Sequence, residues 1–152
     1  MPGARFNSKE IDNLYATLRR LGEDADHIAR LSLYEGAGVM ADAVRAEIDT
    51  IRSEGPSEWE TSRRERQKQG LKDGLSISPM RTDSKGVSTL VGFDGYNEDG
   101  QANKLVARVF NSGTSFSSKQ PFFERAVEQT RSKARKKIIE KMEEEFENTL
   151  KE

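Results

Sequence analysis

Two stretches of this 152-residue sequence carry side chains whose types and spacing could bind a partner. The first is basic, follows Trp59 and contains one acid, Glu65. Its cations are Arg63, Arg64, Arg66, Lys68 and Lys72. Cations beside an aromatic ring can contact phosphates and stack on a base, and such binding weakens steeply as salt rises. An acidic protein face would suit these cations at least as well, and a solvated loop is the interpretation that the composition favours.

The second stretch places three large aromatic side chains around a glycine turn and the start of a helix. Its residues are Phe110, Gly113, Thr114, Pro121, Phe122 and Phe123. Pro121 suits the first position of a helix, where its missing N–H leaves no hydrogen bond unmade. The simplest interpretation is a joint that packs the terminal helix on the strands and sets the geometry of the domain. We predict subunit or partner contacts for these residues and for three residues of the terminal helix, Ile138, Met142 and Phe146.

No group of residues predicts catalysis, a metal site or a cofactor site. The single histidine, His27, stands beside Asp24 and Asp26 at a predicted helix start, where a capping or solvated role is expected. The sequence has no Cys and no Gly-x-Ser-x-Gly motif, so neither a thiol nor a serine elbow offers a nucleophile. The acidic run at 94–100 lacks the ligand spacing of an EF-hand and predicts a tight polar loop. We predict that the protein is not an enzyme and uses no cofactor.

The composition favours a single domain, residues 1–152, with a thin core. Charged residues make up 34% of the chain, against about 25% in ordinary soluble domains, and the net charge is −1. This balance favours a polar, extended or assembly-dependent fold over a compact enzyme. The chain begins without an apolar leader and has no stretch long enough to cross a membrane. A soluble protein made inside a cell is therefore expected.

Apolar residues at helical spacing organise the first part of the chain, residues 7–54. The spacing from Ser8 to Gly22 predicts one short amphipathic helix, with the serine as its N-cap. A second helix is predicted to start from a cap at Asp24 or Asp26 and to end before the Gly-Pro pair at 55–56. The first part should therefore contain two helices.

The periodicity then changes twice. Over residues 55–70 it disappears, which predicts a basic flexible loop. Over residues 71–120 it first falls to two, as in paired antiparallel strands on either side of the turn at 83–86. The segment from Asn103 to Phe110 suits either a strand or a helix, and the following glycine favours a short helix.

A long helix is predicted over residues 121–150. Its apolar stripe consists of Phe123, Val127, Ala134, Ile138, Met142, Phe146 and Leu150. Cations fill its middle and glutamates dominate its end, with pairs such as Lys141 and Glu145 one turn apart. Together the elements predict an α+β fold: two N-terminal helices, a small antiparallel sheet, a short helix and a long C-terminal helix.

Five short motifs occur in an order that resembles a known family. They are GLKDGLSIS at 70–78, VGFDGY at 91–96, LVAR at 105–108, SGTS at 112–115 and KQPF at 119–122. The sequence is similar to the tail-component or tail-completion proteins of long-tailed phages over residues 70 to about 130. One position departs from the family pattern, since Asn111 stands where an acidic residue is usual. The turn that often precedes the first strand is replaced by the basic stretch.

The resemblance implies a non-enzymatic virion protein at the head–tail junction, assembled in the host cytoplasm into a ring such as a hexamer or dodecamer. Its partners would be further copies of itself and neighbouring neck, adaptor or tail-tube proteins, with no membrane involved. The basic stretch would face either channel DNA or an acidic ring above or below. A tail terminator and a head-closure adaptor are sibling alternatives. An alternative of another class is a small helical nucleic-acid-binding module that uses Arg63, Arg64, Arg66 and Lys68.

Overall fold

The computed structural model describes the backbone of residues 8–84 and 86–151 and the side chains of residues 16, 19–84 and 86–151. Four helices occur in this part of the chain: α1 (Ser8–Ile48), α2 (Glu58–Gly74), α3 (Asn103–Ser112) and α4 (Phe122–Lys151). Four short strands lie between α2 and α3: β1 (Leu75–Ile77), β2 (Arg81–Asp83), β3 (Gly86–Ser88) and β4 (Val91–Phe93). The predicted α+β class, with its small antiparallel strand region and long C-terminal helix, is confirmed.

The two longest helices, α1 and α4, pack against each other in antiparallel directions. Near the end of α1, Arg125 Nε donates a hydrogen bond to Glu47 Oε2 at 3.0 Å. About three turns earlier in α1, Gly36 lies against Ile138 of α4. A Cβ atom at Gly36 would stand 2.5 Å from Ile138 Cγ1, so the missing side chain is what allows this close approach.

α1 is longer than α4, since α1 has 41 residues and α4 has 30. Because Glu47 pairs with Arg125 and the helices are antiparallel, Lys151 lies near the level of residue 21. About 13 residues at the start of α1 therefore extend beyond the end of α4, a length of about 20 Å at 1.5 Å per residue.

The predicted division of the first part into two helices is wrong, because α1 continues through Gly22 and the two expected caps, Asp24 and Asp26. A glycine ends a helix when it takes a left-handed backbone, and Gly22 does not. Inside a helix it costs only about 1 kcal/mol relative to Ala. Asp26 caps nothing and instead accepts a hydrogen bond from Arg30 Nε, one turn later, at 2.8 Å.

The predicted basic flexible loop is also wrong, because most of it belongs to α2, which starts at Glu58. Ser57 is the N-cap, and its Oγ accepts a hydrogen bond from the Glu60 N–H at 3.2 Å. A serine followed three residues later by a glutamate is the capping-box pattern, and Arg, Lys, Gln and Glu are good helix formers. Apolar periodicity is missing because Leu71 is the one large side chain that α2 buries, and the rest of its side chains are half-buried or exposed.

The strands form two short antiparallel ladders, as predicted in kind. In the first ladder, β1 pairs with β4 and places Leu75 opposite Phe93. In the second ladder, β2 pairs with β3, and both strands lie between β1 and β4 in the sequence. Between the ladders the Ser78 N–H donates to the Leu90 carbonyl oxygen at 2.8 Å. The four strands therefore belong to one long, interrupted hairpin.

One hydrophobic core joins the helices to strand β4. It consists of Val44, Ile48, Ile51, Leu71, Phe93, Val106, Ala107, Phe110, Phe122 and Ala126. The ring of Phe122 lies 6.1 Å from that of Phe93 and 6.4 Å from that of Phe123, between centroids. The start of α4 is thus packed on the last strand, which confirms the predicted joint. Pro121 directly precedes this helix, and its carbonyl oxygen accepts a hydrogen bond from the Arg125 N–H at 3.0 Å.

Candidate functional site: a groove between α2 and α3

The four predicted contact cations all lie on α2, but their side chains fall into two groups. Arg66 Nε lies 3.0 Å from Asp99 Oδ1, in the loop that follows β4. Lys68 Nζ lies 3.4 Å from the carbonyl oxygen of Asp49, just after α1. Arg63 and Arg64 instead line a groove between α2 and α3. Two of the four predicted contact cations therefore share a common surface, and the other two are engaged by other parts of the chain.

Two glycines one turn apart set the position of α2 beside α3. A Cβ atom at Gly70 would lie 2.7 Å from Asn103 Oδ1. At Gly74 it would collide with the carbonyl oxygen of Asp94. The Asp94 N–H also donates to the Gly74 carbonyl oxygen at 2.8 Å. The loop that leads from β4 to α3 therefore packs directly on the helix backbone, and the position of α3 follows from that contact.

Two buried asparagines hold this loop in shape. Asn97 Oδ1 accepts hydrogen bonds from the N–H groups of Asp99 at 3.0 Å and Gln101 at 2.9 Å. Asn103 Nδ2 donates to the Asp94 carbonyl oxygen at 2.9 Å. The N-cap of α3 is Ala102, which makes no side-chain capping bond, so Asn103 anchors the loop and does not cap the helix. The predicted tight polar loop is confirmed.

The groove has a volume of about 710 Å³. Its polar wall comes from α2 and consists of Glu60, Arg63, Arg64 and Gln67. Its apolar wall comes from α3 and consists of Leu105, Val106, Val109 and Phe110. Thr114, Phe116 and Ser117 close one end, and residues 100–102 close the other. A partner in this groove would meet apolar side chains on one side and two guanidinium groups on the other.

The apolar side of helix α3 is wider than the part that the core covers. Val106 and Phe110 are buried and belong to the core. Leu105 and Val109 each precede one of these residues by one position, and they are 59% and 36% exposed and line the groove. An ordinary amphipathic helix buries its apolar stripe and exposes polar residues elsewhere. The edge of the apolar side that Leu105 and Val109 form is therefore available to a partner.

A tight turn after α3 forms the end wall. Gly113 has φ +74°, in the left-handed region, and a Cβ atom there would stand 2.8 Å from the Lys119 nitrogen. The Thr114 N–H then donates to the Ser117 carbonyl oxygen at 2.9 Å. Phe116 lies at the tip of this turn and is 99% exposed. Such full exposure of a large aromatic side chain at the rim of a groove is typical of a contact residue.

Asn111 connects the groove to the start of α4. Its Oδ1 accepts hydrogen bonds from the N–H groups of Phe123 at 3.2 Å and Glu124 at 3.3 Å. These donors belong to the first turn of α4, where backbone N–H groups lack partners within the helix. A carboxylate at this position could accept the same two bonds.

Each of the two groove arginines has a contact near the start of α2. The Arg63 guanidinium carbon lies 5.8 Å from the Trp59 ring centroid, and its nearest carboxylate, on Glu60, is 3.9 Å away. Arg64 Nη1 donates to the Glu54 carbonyl oxygen at 2.6 Å. Both side chains are partly exposed, so each guanidinium group can still donate hydrogen bonds to an anionic partner.

A pairing near the C-terminal end of α2 anchors that helix to the residue that follows α1. The Lys72 ammonium donates a hydrogen bond to Asp49 and holds the pKa of that carboxyl below its ordinary value. Among the described residues no group of three or more potential metal ligands occurs. The groove itself offers an apolar side and a side that carries two arginines.

The other predicted contact residues lie away from the groove or inside the fold. Phe110 and Phe122 are buried, and Phe123 is half-buried among the same rings. Ile138 packs against Gly36, while Met142 and Phe146 are half-buried on α4. Most of this set therefore stabilises the chain itself, and Thr114 is the member that is exposed at the groove.

Sequence reasoning missed Leu105, Val109 and Phe116. For α3 the signal was the width of its apolar side, in which Leu105 and Val109 each stand one position before a core residue. For Phe116 the signal was a large aromatic residue within a run of serines that follows a helix-ending glycine.

Comparisons of the chain with family models, with curated proteins and with solved structures gave no significant match. In the part of the chain that the structure describes, none of the helices combines the length and the apolar character needed to cross a bilayer.

Proposed function

We propose that this chain is a non-enzymatic structural protein of a phage neck, acting in tail completion or head–tail joining as a subunit of a ring. The observation that carries the proposal is the open groove, where Leu105 and Phe116 are exposed beside two arginines. Exposed apolar residues with a charged rim are typical of protein-binding surfaces. The ring, a hexamer or dodecamer, would sit at the head–tail junction after assembly in the host cytoplasm.

The motifs behind the phage resemblance support this proposal because they meet in the folded chain. Gly70 and Gly74 contact the loop that starts with Asp94, Phe93 packs on Phe122, and Gly113 lies against Lys119. The spacing of the motifs is therefore required by one packed unit, which also forms the groove. This gives a physical reason for a family to keep the motifs in a fixed order.

Particles assembled without the protein would test the role directly by electron microscopy. A joining protein predicts full heads and finished tails that remain separate. Overlong tails would instead assign the terminator role, and heads that leak DNA would assign the head-closure role. Normal infectious particles would overturn the proposal in all three forms.

Purified protein offers a second test. Added to separated heads and tails, the wild-type chain should restore joined particles, and mass measurement should show it bound to tail tubes or connectors. A protein that never binds either structure would contradict the proposal. A monomer in dilute solution would not, because ring formation on the particle is enough.

The nucleic-acid-binding alternative predicts duplex binding that weakens strongly with salt and disappears when four cations become neutral, namely Arg63, Arg64, Arg66 and Lys68. Arg66 is paired with Asp99, and Lys68 lies against the end of α1. Fewer cations therefore face one surface than this alternative requires, and we favour a protein partner.

A further inference from the structure

The outward side of α4 near its end carries side chains that complement the groove. Ile139 and Leu150 are exposed there, at 47% and 54%. Glu143 and Glu147 are exposed between them, and steps of three and four residues place all four on one side of the helix. We call these four residues the acidic stripe. It offers apolar groups flanked by carboxylates, whereas the groove offers apolar groups flanked by guanidinium groups.

The acidic stripe cannot reach the groove of its own chain. The groove end is tied to the start of α4, since the Gln120 N–H donates to the Phe110 carbonyl oxygen at 2.8 Å. The stripe begins at Ile139 and ends at Leu150, which lie 17 and 28 positions after Phe122 along one unbroken helix, or about 26 and 42 Å at 1.5 Å per residue. Any contact between these two surfaces must therefore join different copies of the chain.

A contact between two different surfaces is heterologous. Each copy that binds through its groove keeps a free acidic stripe, and each copy that binds through its stripe keeps a free groove. Such contacts propagate head to tail and end only when the rotation between neighbours closes a ring. The same geometry explains why the acidic end of α4 opposes its own helix dipole, since its carboxylates would find cations on a neighbour.

We infer that the acidic stripe of one copy docks in the α2–α3 groove of a second copy, with Glu143 and Glu147 facing Arg63 and Arg64. The apolar residues of the stripe then cover Leu105, Val109 and Phe116. This inference rests on the proposed function and supplies the contact that its ring requires. Charge complementarity selects a second copy as the occupant, because the groove carries two arginines against one acid, Glu60, and the stripe carries two glutamates.

Charge reversal tests the contact. The groove variant carries Arg63→Glu with Arg64→Glu, and the stripe variant carries Glu143→Lys with Glu147→Lys. Sedimentation velocity at low salt should show concentration-dependent association of the wild type. Each variant alone should associate at least tenfold more weakly, and an equimolar mixture should regain association, because each groove then meets a stripe of opposite charge.

The matched control is Arg131→Glu with Arg135→Glu, which makes the same charge change on two exposed cations in the middle of α4. It should associate like the wild type, and circular dichroism should show that all variants keep their helices. A wild type that stays monomeric up to about 1 mM, two variants that associate normally, or a mixture that fails to recover would each overturn the inference.

Cysteine cross-linking gives an independent measurement, because the chain has no Cys. With an added oxidant, Phe116→Cys combined with Leu150→Cys should give a ladder of covalent oligomers larger than dimers. The control pairs Leu90→Cys with Leu150→Cys, since Leu90 is exposed but lies outside the groove. An equal ladder in both would overturn the inference.

Particle assays separate the two proposals. If joined particles require the protein but accept the groove variant, the inferred contact fails and the neck function stands. If particles do not require the protein, the neck function fails, while the mixing experiment still decides whether the contact forms.

Discussion

The aromatic joint, formed by Phe93, Phe122 and Phe123, and the groove between α2 and α3 use similar residues in opposite ways. In the joint, Phe122 is fully buried between its two neighbours. In the groove, only six positions earlier, Phe116 is almost fully exposed. Both regions depend on the same turn after α3, so sequence proximity and residue type do not distinguish them. The packing around each ring distinguishes the two regions, because Phe122 is enclosed by other side chains and Phe116 faces solvent.

Because of this difference, the joint contributes to the stability of one chain and the groove contributes to association between chains. The free energy of burying Phe122 is already gained when one chain folds, whereas that of burying Phe116 is gained only when a partner covers it. Substitutions in the joint should therefore change folding, and substitutions in the groove should change association. Four experiments test how sharply the two regions divide.

The largest effect is expected at the centre of the joint. Phe122→Ala should lower the free energy of unfolding by about 3–5 kcal/mol, because it removes a buried ring and leaves a cavity. Phe116→Ala should leave that free energy within about 0.5 kcal/mol of the wild type and weaken self-association. Urea unfolding measures the first quantity and sedimentation the second. Equal destabilisation by both substitutions would remove the distinction between the regions.

A smaller effect is expected where α2 meets the loop before α3. Gly74→Ala should destabilise by about 1–3 kcal/mol, because its methyl group would collide with backbone. Gly38→Ala is the control, since no atom lies within 4 Å of a Cβ there, and it should stabilise by up to about 1 kcal/mol. Thermal melts of both variants measure this. A neutral Gly74→Ala would show that the groove wall is not fixed by this contact.

Asn111 links the two regions and should have an intermediate effect on stability. Asn111→Ala removes the acceptor for the first turn of α4 and should cost about 1 kcal/mol in urea unfolding. Asn111→Asp keeps an acceptor and should retain most of that stability. If the alanine variant unfolds like the wild type, the side chain does not cap α4.

The smallest effect is expected from Asp49 and should depend on pH. Its pKa is lowered in the folded chain, mainly by the hydrogen bond from Lys72, so its contribution is present at neutral pH and is lost as the pH falls below about 4. Asp49→Asn should therefore lose less stability than the wild type between pH 7 and pH 3, measured by urea midpoints. Asp42→Asn, which changes an exposed carboxylate in the last part of α1, is the control. Identical loss in wild type and Asp49→Asn would refute the pairing.

The sequence was informative where apolar periodicity coincides with burial. The joint, the hairpin and the terminal helix were predicted because residues such as Phe93 and Phe122 bury the side chains that create the pattern. The boundary of α4 was predictable because Pro121 can precede a helix but cannot continue one. In these regions the local signal and the tertiary packing agree.

The helical state of α2 was missed because its stability does not come from an apolar stripe. The Ser57–Glu60 capping box was readable in the sequence, but a basic surface without periodicity resembles a loop. Gly22 misled in the opposite direction, because a glycine signals the end of a helix only when its backbone leaves the helical region. The apolar pattern alone therefore predicts neither the helical state of α2 nor the continuation of α1 through Gly22.

The candidate site was predicted in part. Arg63, Arg64 and Thr114 were named, and the structure brings them to one groove. The pairing of Arg66 with Asp99, 33 positions away, could not be read from local sequence. Nor could the exposure of Leu105, because an apolar residue in an amphipathic helix is expected to face the core.

The unbroken course of α1 makes its first part a lever about the level at which α4 ends. Ser8 lies 13 positions, about 20 Å along the helix, from residue 21, which is level with Lys151. A bend of about 10° in α1 at that level would move Ser8 by about 3 Å, while the part of α1 that packs on α4 keeps its place. Small bends of α1 at this level would therefore be amplified at its first residue.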